Sequence, residues 1–331
     1  MNCPQCQAPV VPENNFCEDC GARLKEPDAL TAADRIEACE SCGAGPDAID
    51  ADGYCSRCGF QRRHPERDHI ELAISARIAG VSDRGMKHYR NEDFFAASDD
   101  TDLLFGVVCD GVSNSQNADA ASAAAAPATR DAFLAAWKNG AESDPEDALK
   151  KAIVGAHAAV LSAGQNDALP TDPPEATIIA AAIFGEAAHR EAVIGWLGDS
   201  RAYFIAPTEA KQLSKDHSWL VEIVESGKLT YAQAIRSRGA HSITRTLGGV
   251  PTGEGGERDE PSILRCPLPG PGWIILCSDG LWNYATELDD FADLVRHHAT
   301  TGSPLNLSRE LVNWAREKGG KDNITVVAMA V

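Results

Sequence analysis

Four Cys-x-x-Cys pairs near the start of the sequence constrain the fold more than any other feature. Eight of the eleven cysteines in the 331-residue chain lie before residue 60, in two modules with the same layout of pair, short loop and pair. Segments this short cannot bury a hydrophobic core, so something other than apolar packing must hold them together. The eight positions are Cys3, Cys6, Cys17, Cys20, Cys39, Cys42, Cys55 and Cys58.

The spacing of these pairs predicts one structural zinc site in each module. Each Cys-x-x-Cys turn points two sulfurs at one ion, and two turns complete a closed tetrahedral site. Gly21, Gly43 and Gly59 follow the last cysteine of three pairs, where the backbone must bend sharply. Disulfide bonds, a redox dithiol and an iron site are the alternatives. We expect no export signal at the N-terminus, which argues against a secreted disulfide framework. The modules resemble zinc ribbons, whose folding energy comes mostly from the metal.

Charge limits the partners of these ribbons and of the whole chain. Residues 1–60 contain four basic residues against eleven acidic ones, and the formal net charge of the chain is −19. Nucleic-acid binding depends on Lys and Arg that neutralise phosphates, so we expect no nucleic-acid partner. A protein partner, or plain spacing, is the better hypothesis for the ribbons. No apolar run approaches the roughly 20 residues of a membrane helix, so we expect no membrane partner and a cytoplasmic location.

After residue 70 the pattern changes to short strands and longer helices. Leu72, Ile74, Ala76 and Ile78 alternate with other residues, which predicts a half-buried strand. Further apolar, β-branched runs predict strands at 103–109, 177–184, 192–197, 273–277 and 324–331. Helical patterns cover 118–137, 145–162, 287–298 and 303–318, with a kink or break at Pro127. This order predicts an α+β fold with antiparallel sheets covered by helices.

Carboxylates follow or precede many of these predicted strands. The positions are Glu92, Asp93, Asp110, Asp199, Asp279 and Asp322. One Asp at the end of a strand is usually a turn former or a cap. A series of them in one domain suggests that they converge, and their like charges would then repel unless cations lie between them. Oxygen ligands of this kind favour Mg²⁺ or Mn²⁺.

Short motifs in a fixed order give a specific family resemblance. They are Ser82-Asp83-Arg84-Gly85, Asn91-Glu92-Asp93, Val107-Val108-Cys109-Asp110-Gly111, Ala176-Thr177, Gly198-Asp199-Ser200-Arg201, Asp216-His217-Ser218, Ile243-Thr244-Arg245-Thr246-Leu247-Gly248, Ser278-Asp279-Gly280-Leu281-Trp282 and Asp322-Asn323-Ile324-Thr325. Each motif is weak by itself. Together they resemble the metal-dependent protein serine/threonine phosphatases of the PPM, or PP2C-like, type over residues 71–331.

The resemblance implies a fold, a metal site and a reaction. The implied fold is a PP2C-like sandwich of two antiparallel sheets flanked by helices, in four α-β-β-α layers, here preceded by two zinc ribbons. The implied reaction is hydrolysis of phosphoserine and phosphothreonine in proteins by a metal-activated bridging water. Two Mn²⁺ or Mg²⁺ ions, with a weaker third, would be the cofactors, besides two structural Zn²⁺ ions. By resemblance, the metal ligands are Asp110, Asp279, Asp322, Glu92, the Gly111 carbonyl and, for the third ion, Asp199.

Two of these carboxylates would have catalytic roles. By resemblance, Asp110 bridges both metals, and Asp93 holds a metal-bound water. The chain also departs from the family pattern. His88 stands where relatives place a phosphate-binding Arg, so His88, Arg84 and Arg90 are the candidates for phosphate binding. Val112 replaces a His that would donate a proton, and Asn283 replaces an Asp of the third metal site.

These departures leave two hypotheses open. The first is an active phosphatase, with phosphoproteins as substrates. The second is a degenerate module that binds phosphoproteins, or docks partners through its ribbons, with little or no turnover. The predicted organisation is a first zinc ribbon at 1–24, a linker at 25–38, a second ribbon at 39–60, a linker at 61–70 and the phosphatase domain at 71–331.

Overall fold

The structure, a computed structural model, divides the chain into two units, Met1–Arg62 and Arg63–Val331. It describes residues 38–39, 42–49, 55–59, 65–115, 117–140, 144–163, 173–186, 189–237, 239–240, 242–249 and 260–331. The first predicted zinc ribbon, with Cys3, Cys6, Cys17 and Cys20, therefore lies outside the described residues. Of the second ribbon, the described part includes all four cysteines and a short 3₁₀ helix at Pro46–Ala48.

One antiparallel sheet of six strands forms half of the larger unit. Its strands are β1 (His69–Ala73), β2 (Ile78–Asp83), β8 (Arg201–Ile205), β9 (Ala210–Gln212), β12 (Trp273–Cys277) and β13 (Ile324–Ala330). They lie in the order β1-β2-β13-β12-β8-β9. The central strands are almost entirely buried, because both faces of the sheet are covered, and this is why they read as continuous apolar runs.

A second antiparallel sheet of five strands packs against the first. Its strands are β3 (Asp93–Asp100), β4 (Leu103–Asp110), β6 (Ile178–Phe184), β7 (Glu191–Leu197) and β11 (Ser262–Pro267). They lie in the order β11-β7-β6-β4-β3. Two short strands, β5 (Glu175–Ala176) and β10 (Leu247–Gly248), pair separately. A buried apolar cluster that includes Phe95, Val108 and Met329 fills the space between the sheets.

The described part of the larger unit also contains helices, most of which cover the outer faces of the two sheets. They are α1 (Pro65–Asp68), α2 (Ala118–Lys138), α3 (Pro145–Ala163), α4 (Trp219–Glu225), α5 (Tyr231–Ala234), α6 (Asp279–Trp282), α7 (Leu288–His298) and α8 (Pro304–Glu317). Helices α2 and α3 pack on the five-stranded sheet, where Phe133 stacks on Phe105 at 4.9 Å. Helices α7 and α8 pack on the other sheet, where Phe291 stacks on Tyr203 at 4.0 Å. The predicted four-layer α-β-β-α sandwich is confirmed. Among the described helices, none is long and apolar enough to span a bilayer.

The predicted strand through residues 72–78 is wrong, because the chain turns there. Strand β1 ends at Ala73 and β2 begins at Ile78. Leu72 and Ile74 are 45% and 38% exposed rather than buried. Ser75 and Arg77 both donate hydrogen bonds to Asp99, and these bonds hold the turn against the neighbouring sheet. Apolar alternation over four residues did not distinguish a strand from a polar turn between two strands.

Two smaller differences concern residues 61–70 and Pro127. Helix α1 and the start of β1 occupy the second half of the segment predicted as a linker, so these residues belong to the larger unit. Of the kink or break predicted at Pro127, the break is wrong, since α2 continues through this residue. Packing of Ala121, Ala125 and Phe133 in the core stabilises this helix and outweighs the backbone hydrogen bond that proline cannot make.

Candidate active site

The predicted carboxylates of the larger unit gather at one edge of the two sheets. Asp93 begins β3 and Asp110 ends β4, and the antiparallel register pairs them directly. Asp279 follows β12 as the first residue of α6, and Asp322 lies just before β13. Asp199 follows β7. Each of the other four carboxylates acts electrostatically on Asp110, so these five side chains share one region.

Close backbone packing brings the segment of Asp279 to the segment of Asp322. A Cβ added to Gly280 would lie 1.9 Å from the carbonyl oxygen of Asn323, which only glycine can accommodate. Asn323 in turn accepts a hydrogen bond from the Glu92 backbone N–H at 2.8 Å. Its side-chain amide donates to the Arg84 and Arg90 carbonyls at 2.9 and 3.0 Å. One asparagine therefore fastens the loop that carries Glu92 to the end of the other sheet.

Asp93 lies at the buried centre of this cluster. Its Oδ2 accepts a 2.7 Å hydrogen bond from Ser278 Oγ, which itself accepts from the Thr325 N–H at 3.0 Å. Its Oδ1 is buried, and no hydrogen-bond partner for this atom is found among the described residues. A buried acceptor without a partner is costly, so this oxygen is suited to a bound water or ion.

Burial and mutual repulsion dominate the electrostatics of the cluster. Desolvation, followed by the charges of Asp93 and Asp279, raises the pKa of Asp110 well above its usual range. Desolvation and the charge of Asp199 do the same to the pKa of Asp279. The pKa of Asp93 and that of Asp199 are each raised to about 7, in both cases mainly by desolvation. Positive charge placed among these groups would relieve the repulsion.

The donor set fits hard divalent cations. It consists of carboxylate and backbone oxygens, the ligands that Mg²⁺ and Mn²⁺ prefer. Glu92 is oriented by Ser113 Oγ, which donates to Glu92 Oε2 at 2.6 Å. Asp279 is oriented by the Asn283 amide, which donates to its Oδ2 at 3.0 Å. Within the described ranges, no three of these carboxylate residues offer one oxygen each within 4.8 Å of the others.

Of the three predicted phosphate-binding residues, His88 contacts a carboxylate of the cluster. His88 Nε2 lies 3.2 Å from Asp322 Oδ1. Arg90 instead pairs with Asp119 at 2.8 Å. Arg84 pairs with Asp68 and donates to the His88 carbonyl, so it holds the backbone of that loop. The ion pairs described for Arg84 and Arg90 are therefore with Asp68 and Asp119, whereas that of His88 is with a carboxylate of the cluster.

Asp199 is supported by contacts that were not predicted from the sequence. The Trp282 indole N–H donates to the Asp199 carbonyl at 3.0 Å. The Arg201 guanidinium stacks on the Trp282 ring at 3.5 Å and binds both oxygens of Asp216, at 2.9 and 2.7 Å. All these residues fall within the ordered motifs of the sequence, which are the signal that could have identified them.

Arg67 is a further supporting residue that was not predicted, because residues 61–70 were assigned to a linker. It donates a hydrogen bond to the Asn91 carbonyl at 3.1 Å.

A second candidate metal centre lies in the smaller unit. The ligand sulfurs of Cys39, Cys42, Cys55 and Cys58 all lie within 4.8 Å of one another. The Cys39–Cys58 and Cys42–Cys55 sulfur distances are 3.6 and 3.7 Å. A tetrahedron with Zn–S bonds of about 2.3 Å has edges of about 3.8 Å, so the four thiols fit one zinc ion.

The backbone around these cysteines bends as the sequence predicted. Gly43 and Gly59 adopt φ angles of +67° and +74°. Their N–H groups donate to the carbonyls of Cys39 and Cys55 at 2.8 and 2.7 Å. Each Cys-x-x-Cys therefore closes a tight turn that ends in a glycine with positive φ.

Comparison with known proteins gives matches over both units. The family described as protein phosphatase 2C matches residues 84–316, and the family described as double zinc ribbon matches residues 3–59. The second match confirms the prediction of two ribbons.

Individual relatives match the larger part of the chain. The serine/threonine phosphatase stp of Listeria welshimeri is 26% identical over 249 residues, which are 74% of this chain and 92% of that protein. The crystal structure of the PPM Ser-Thr phosphatase MsPP from Mycobacterium smegmatis in complex with cacodylate covers 78% of this chain and 99% of its own, at 27% identity and a TM-score of 0.56. The catalytic domain of the phosphatase PstP, solved in complex with 2 manganese ions, covers 77% and 98% at 24% identity and a TM-score of 0.57.

Proposed function

The chain belongs to the protein phosphatase 2C family, and on that premise we propose that it hydrolyses phosphoserine and phosphothreonine esters in proteins with Mn²⁺ or Mg²⁺. The observation that supports this most is the convergence of Asp93, Asp110, Asp279 and Asp322 at one edge of two sheets. A complete carboxylate set favours turnover over a module that only binds phosphoproteins.

We assign the metal ligands as follows. Asp110, Asp279 and Asp322 would hold one divalent ion, and Asp110, Glu92 and the Gly111 carbonyl would hold a second. Asp199 would hold a weaker third ion, for which the Asn283 amide is a poorer ligand than a carboxylate. The PstP structure with manganese supports this choice of metal by analogy. Bound divalent ions would neutralise charge on the phosphoryl group and lower the pKa of water at the site.

Asp93 is the residue that we expect to orient the attacking water. Ser278 occupies its Oδ2, so the buried Oδ1 remains to accept a hydrogen bond from that water. The water would then attack phosphorus in line, the bond to the seryl or threonyl oxygen would break, and that oxygen would leave as the alcohol by taking up a proton from water, with inorganic phosphate as the other product. Cys109, which precedes Asp110, is a poor competing nucleophile, because burial and the charges of Asp93 and Asp110 raise the pKa of its thiol well above its usual range.

His88 is the candidate among these residues for direct contact with the substrate phosphate. Its ring is 30% exposed beside Asp322. An imidazole donates one hydrogen bond to an oxyanion, whereas arginine makes a charged bidentate grip. We therefore expect weaker phosphate binding than an arginine at this position would give.

We assign the ribbons a structural role with one zinc ion each, and we propose a protein as their partner. Reduced thiols are maintained in the cytoplasm, which supports a cytoplasmic location. The acidic front end argues against nucleic acid as a partner.

The test is hydrolysis of p-nitrophenyl phosphate and of a phosphothreonine peptide by the full chain with Mn²⁺. We expect turnover that EDTA stops, and a loss of at least about 10²-fold in Asp110→Asn, because a shared ligand is removed. Phosphopeptide binding without turnover in the wild type would instead support the binding-module hypothesis. Activity that survives Asp110→Asn would contradict the ligand assignment.

A further inference from the structure

A groove of about 600 Å³ opens beside the carboxylate cluster. Asp199 lies in its lining, so the groove is continuous with the site proposed for catalysis. One wall comes from α4, α5 and the residues that connect them to Ala240. The other wall runs from Trp282, the last residue of α6, to Glu287, and so follows closely after Asp279. A polypeptide whose phosphorylated side chain reaches the cluster can therefore place its neighbouring residues here.

The first wall is apolar and partly exposed. Leu220, Val221 and Val224 of α4 line it, together with Tyr231 and Ile235. Tyr231 is 62% exposed and Ile235 is 37% exposed, although both are large apolar side chains. Exposed apolar side chains clustered along a groove are typical of an interaction site.

Several hydrogen bonds hold this wall in place. Ser218 Oγ caps α4 by accepting from the Val221 N–H. Thr230 and Gln233 form a capping box at the start of α5. Thr244 Oγ1 donates to Glu222 Oε1 at 2.6 Å and ties α4 to the following segment. A wall fixed in this way can bind an apolar side chain without a large cost of ordering.

Charge distinguishes the second wall from the first. In the lining, Arg201 is neutralised by Asp216, and Glu225 is paired with Lys215. Glu287 is exposed, and no ion pair involving it is found in the described ranges. Although Glu287 is the N-cap of α7, its side chain makes no capping hydrogen bond. Its carboxylate is therefore available to a cation on a bound chain.

We propose that this groove selects substrates in which a large apolar side chain and a Lys or Arg lie close to the phosphorylated residue. The apolar side chain packs against Tyr231 and Ile235, and the basic side chain pairs with Glu287. This selection rests on the proposed function and deepens it, because it names the class of phosphoprotein.

The experiment compares kcat/KM for phosphothreonine peptides with kcat/KM for p-nitrophenyl phosphate, which has no flanking residues. In one series of peptides, one Leu and one Lys are placed at different positions up to three residues from the phosphothreonine. In the matched series, Ser replaces the Leu and Glu replaces the Lys. We expect the best Leu–Lys peptide to exceed its Ser–Glu counterpart at least about tenfold in kcat/KM, which is a difference of about 1.4 kcal/mol.

Variants of the two walls identify the residues responsible. The double variant Tyr231→Ala with Ile235→Ala should lower the ratio of peptide to p-nitrophenyl phosphate kcat/KM about fivefold or more, mainly for Leu peptides. Glu287→Lys should reverse the preference between Lys and Glu peptides. Val154→Ala is the matched control, because Val154 is 46% exposed on α3 and does not line the groove; it should change neither ratio.

The other outcomes would overturn the inference. If the wild type turns over p-nitrophenyl phosphate but treats all peptides alike, and the variants leave the ratios unchanged, the groove does not select substrates. If the wall variants instead change the mass of the protein in light scattering, the groove binds a second copy of the chain. If p-nitrophenyl phosphate is not hydrolysed at all with Mn²⁺, the proposed function fails first.

Discussion

The two candidate metal centres of this chain are built in opposite ways. The four sulfurs of the second ribbon come from Cys39–Cys58 and lie within 4.8 Å of one another. The oxygens of the carboxylate cluster come from residues between Glu92 and Asp322, on both sheets, and no three of these described residues offer one oxygen each within 4.8 Å of the others. A local motif can assemble its own site, whereas scattered carboxylates depend on the whole fold to bring them together.

The difference also concerns what each metal does for stability. The larger unit has three buried apolar clusters, which give it a core without any ion. The described part of the ribbon has a single small cluster of Cys39, Ala44 and Cys55. Metal should therefore hold the ribbon together but only complete the phosphatase site.

Removal of metal should affect the two centres differently, and this is the largest effect that we expect. After dialysis against EDTA, we expect turnover of p-nitrophenyl phosphate to fall at least about 10³-fold and to return with Mn²⁺. The larger unit should remain folded. Tryptophan fluorescence reports that unit alone, because all six tryptophans lie between residues 137 and 314. If the larger unit unfolds on loss of metal, its apolar core does not suffice to keep it folded, and the proposed difference between the two units is wrong.

Ser278→Ala tests whether the fold positions Asp93. The substitution removes the hydroxyl that bonds Asp93 Oδ2 and the Thr325 N–H, both of them buried. A lost hydrogen bond to a charged group costs about 1.5–3 kcal/mol, so turnover should fall roughly 10- to 100-fold. Ser308→Ala is the control, since Ser308 is equally buried but bonds the Ala79 carbonyl away from the cluster. A similar loss of turnover in both variants would indicate general destabilisation instead.

Trp282→Phe probes the weaker third ion. The phenyl ring keeps a surface for Arg201 but loses the N–H that bonds the Asp199 carbonyl. One neutral hydrogen bond is worth about 1 kcal/mol, so we expect roughly a fivefold higher Mn²⁺ concentration for half-maximal activity. Calorimetric titration with Mn²⁺ should show the same shift. Trp314→Phe, which alters a tryptophan packed against Tyr284, should show none.

Cys55→Ser should have the smallest effect on turnover of these changes, and it tests whether the zinc site can be lost without loss of activity. Loss of one thiolate opens the tetrahedral site, and elemental analysis should fall from two zinc ions per chain to one. Because the ribbon and the phosphatase unit are separate compact units, turnover of p-nitrophenyl phosphate should stay within about twofold of the wild type. A tenfold loss would show that the ribbon contributes to catalysis.

The sequence predicted most of the fold because burial leaves a clear pattern. Strands β4, β6 and β12 are covered on both faces and read as continuous apolar runs, and their bounds were predicted within one residue. The prediction of a strand through residues 72–78 was wrong, because the exposed Leu72 and Ile74 have the same alternating spacing as the buried side of a strand. No local rule separates these cases, since the difference lies in what covers the side chains.

The site was predicted less completely than the fold. Carboxylates at strand ends and the ordered motifs indicated which side chains converge. Their supports were not predictable in the same way, because Arg67, Ser278 and Trp282 act through contacts with residues distant in sequence. The three phosphate-binding candidates also could not be ranked. Their partners, Asp119 for Arg90 and Asp68 for Arg84, became apparent only from the structure.

The active site depends on the number of residues in the turn between β3 and β4. Only Thr101 and Asp102 separate the paired residues Asp100 and Leu103, and this short turn sets the register that ends with Asp93 opposite Asp110. One inserted residue would slide one strand by a step and turn alternate side chains toward the wrong face. The turn should therefore tolerate substitutions freely but insertions or deletions hardly at all, although it lies at the far end of the hairpin from the chemistry.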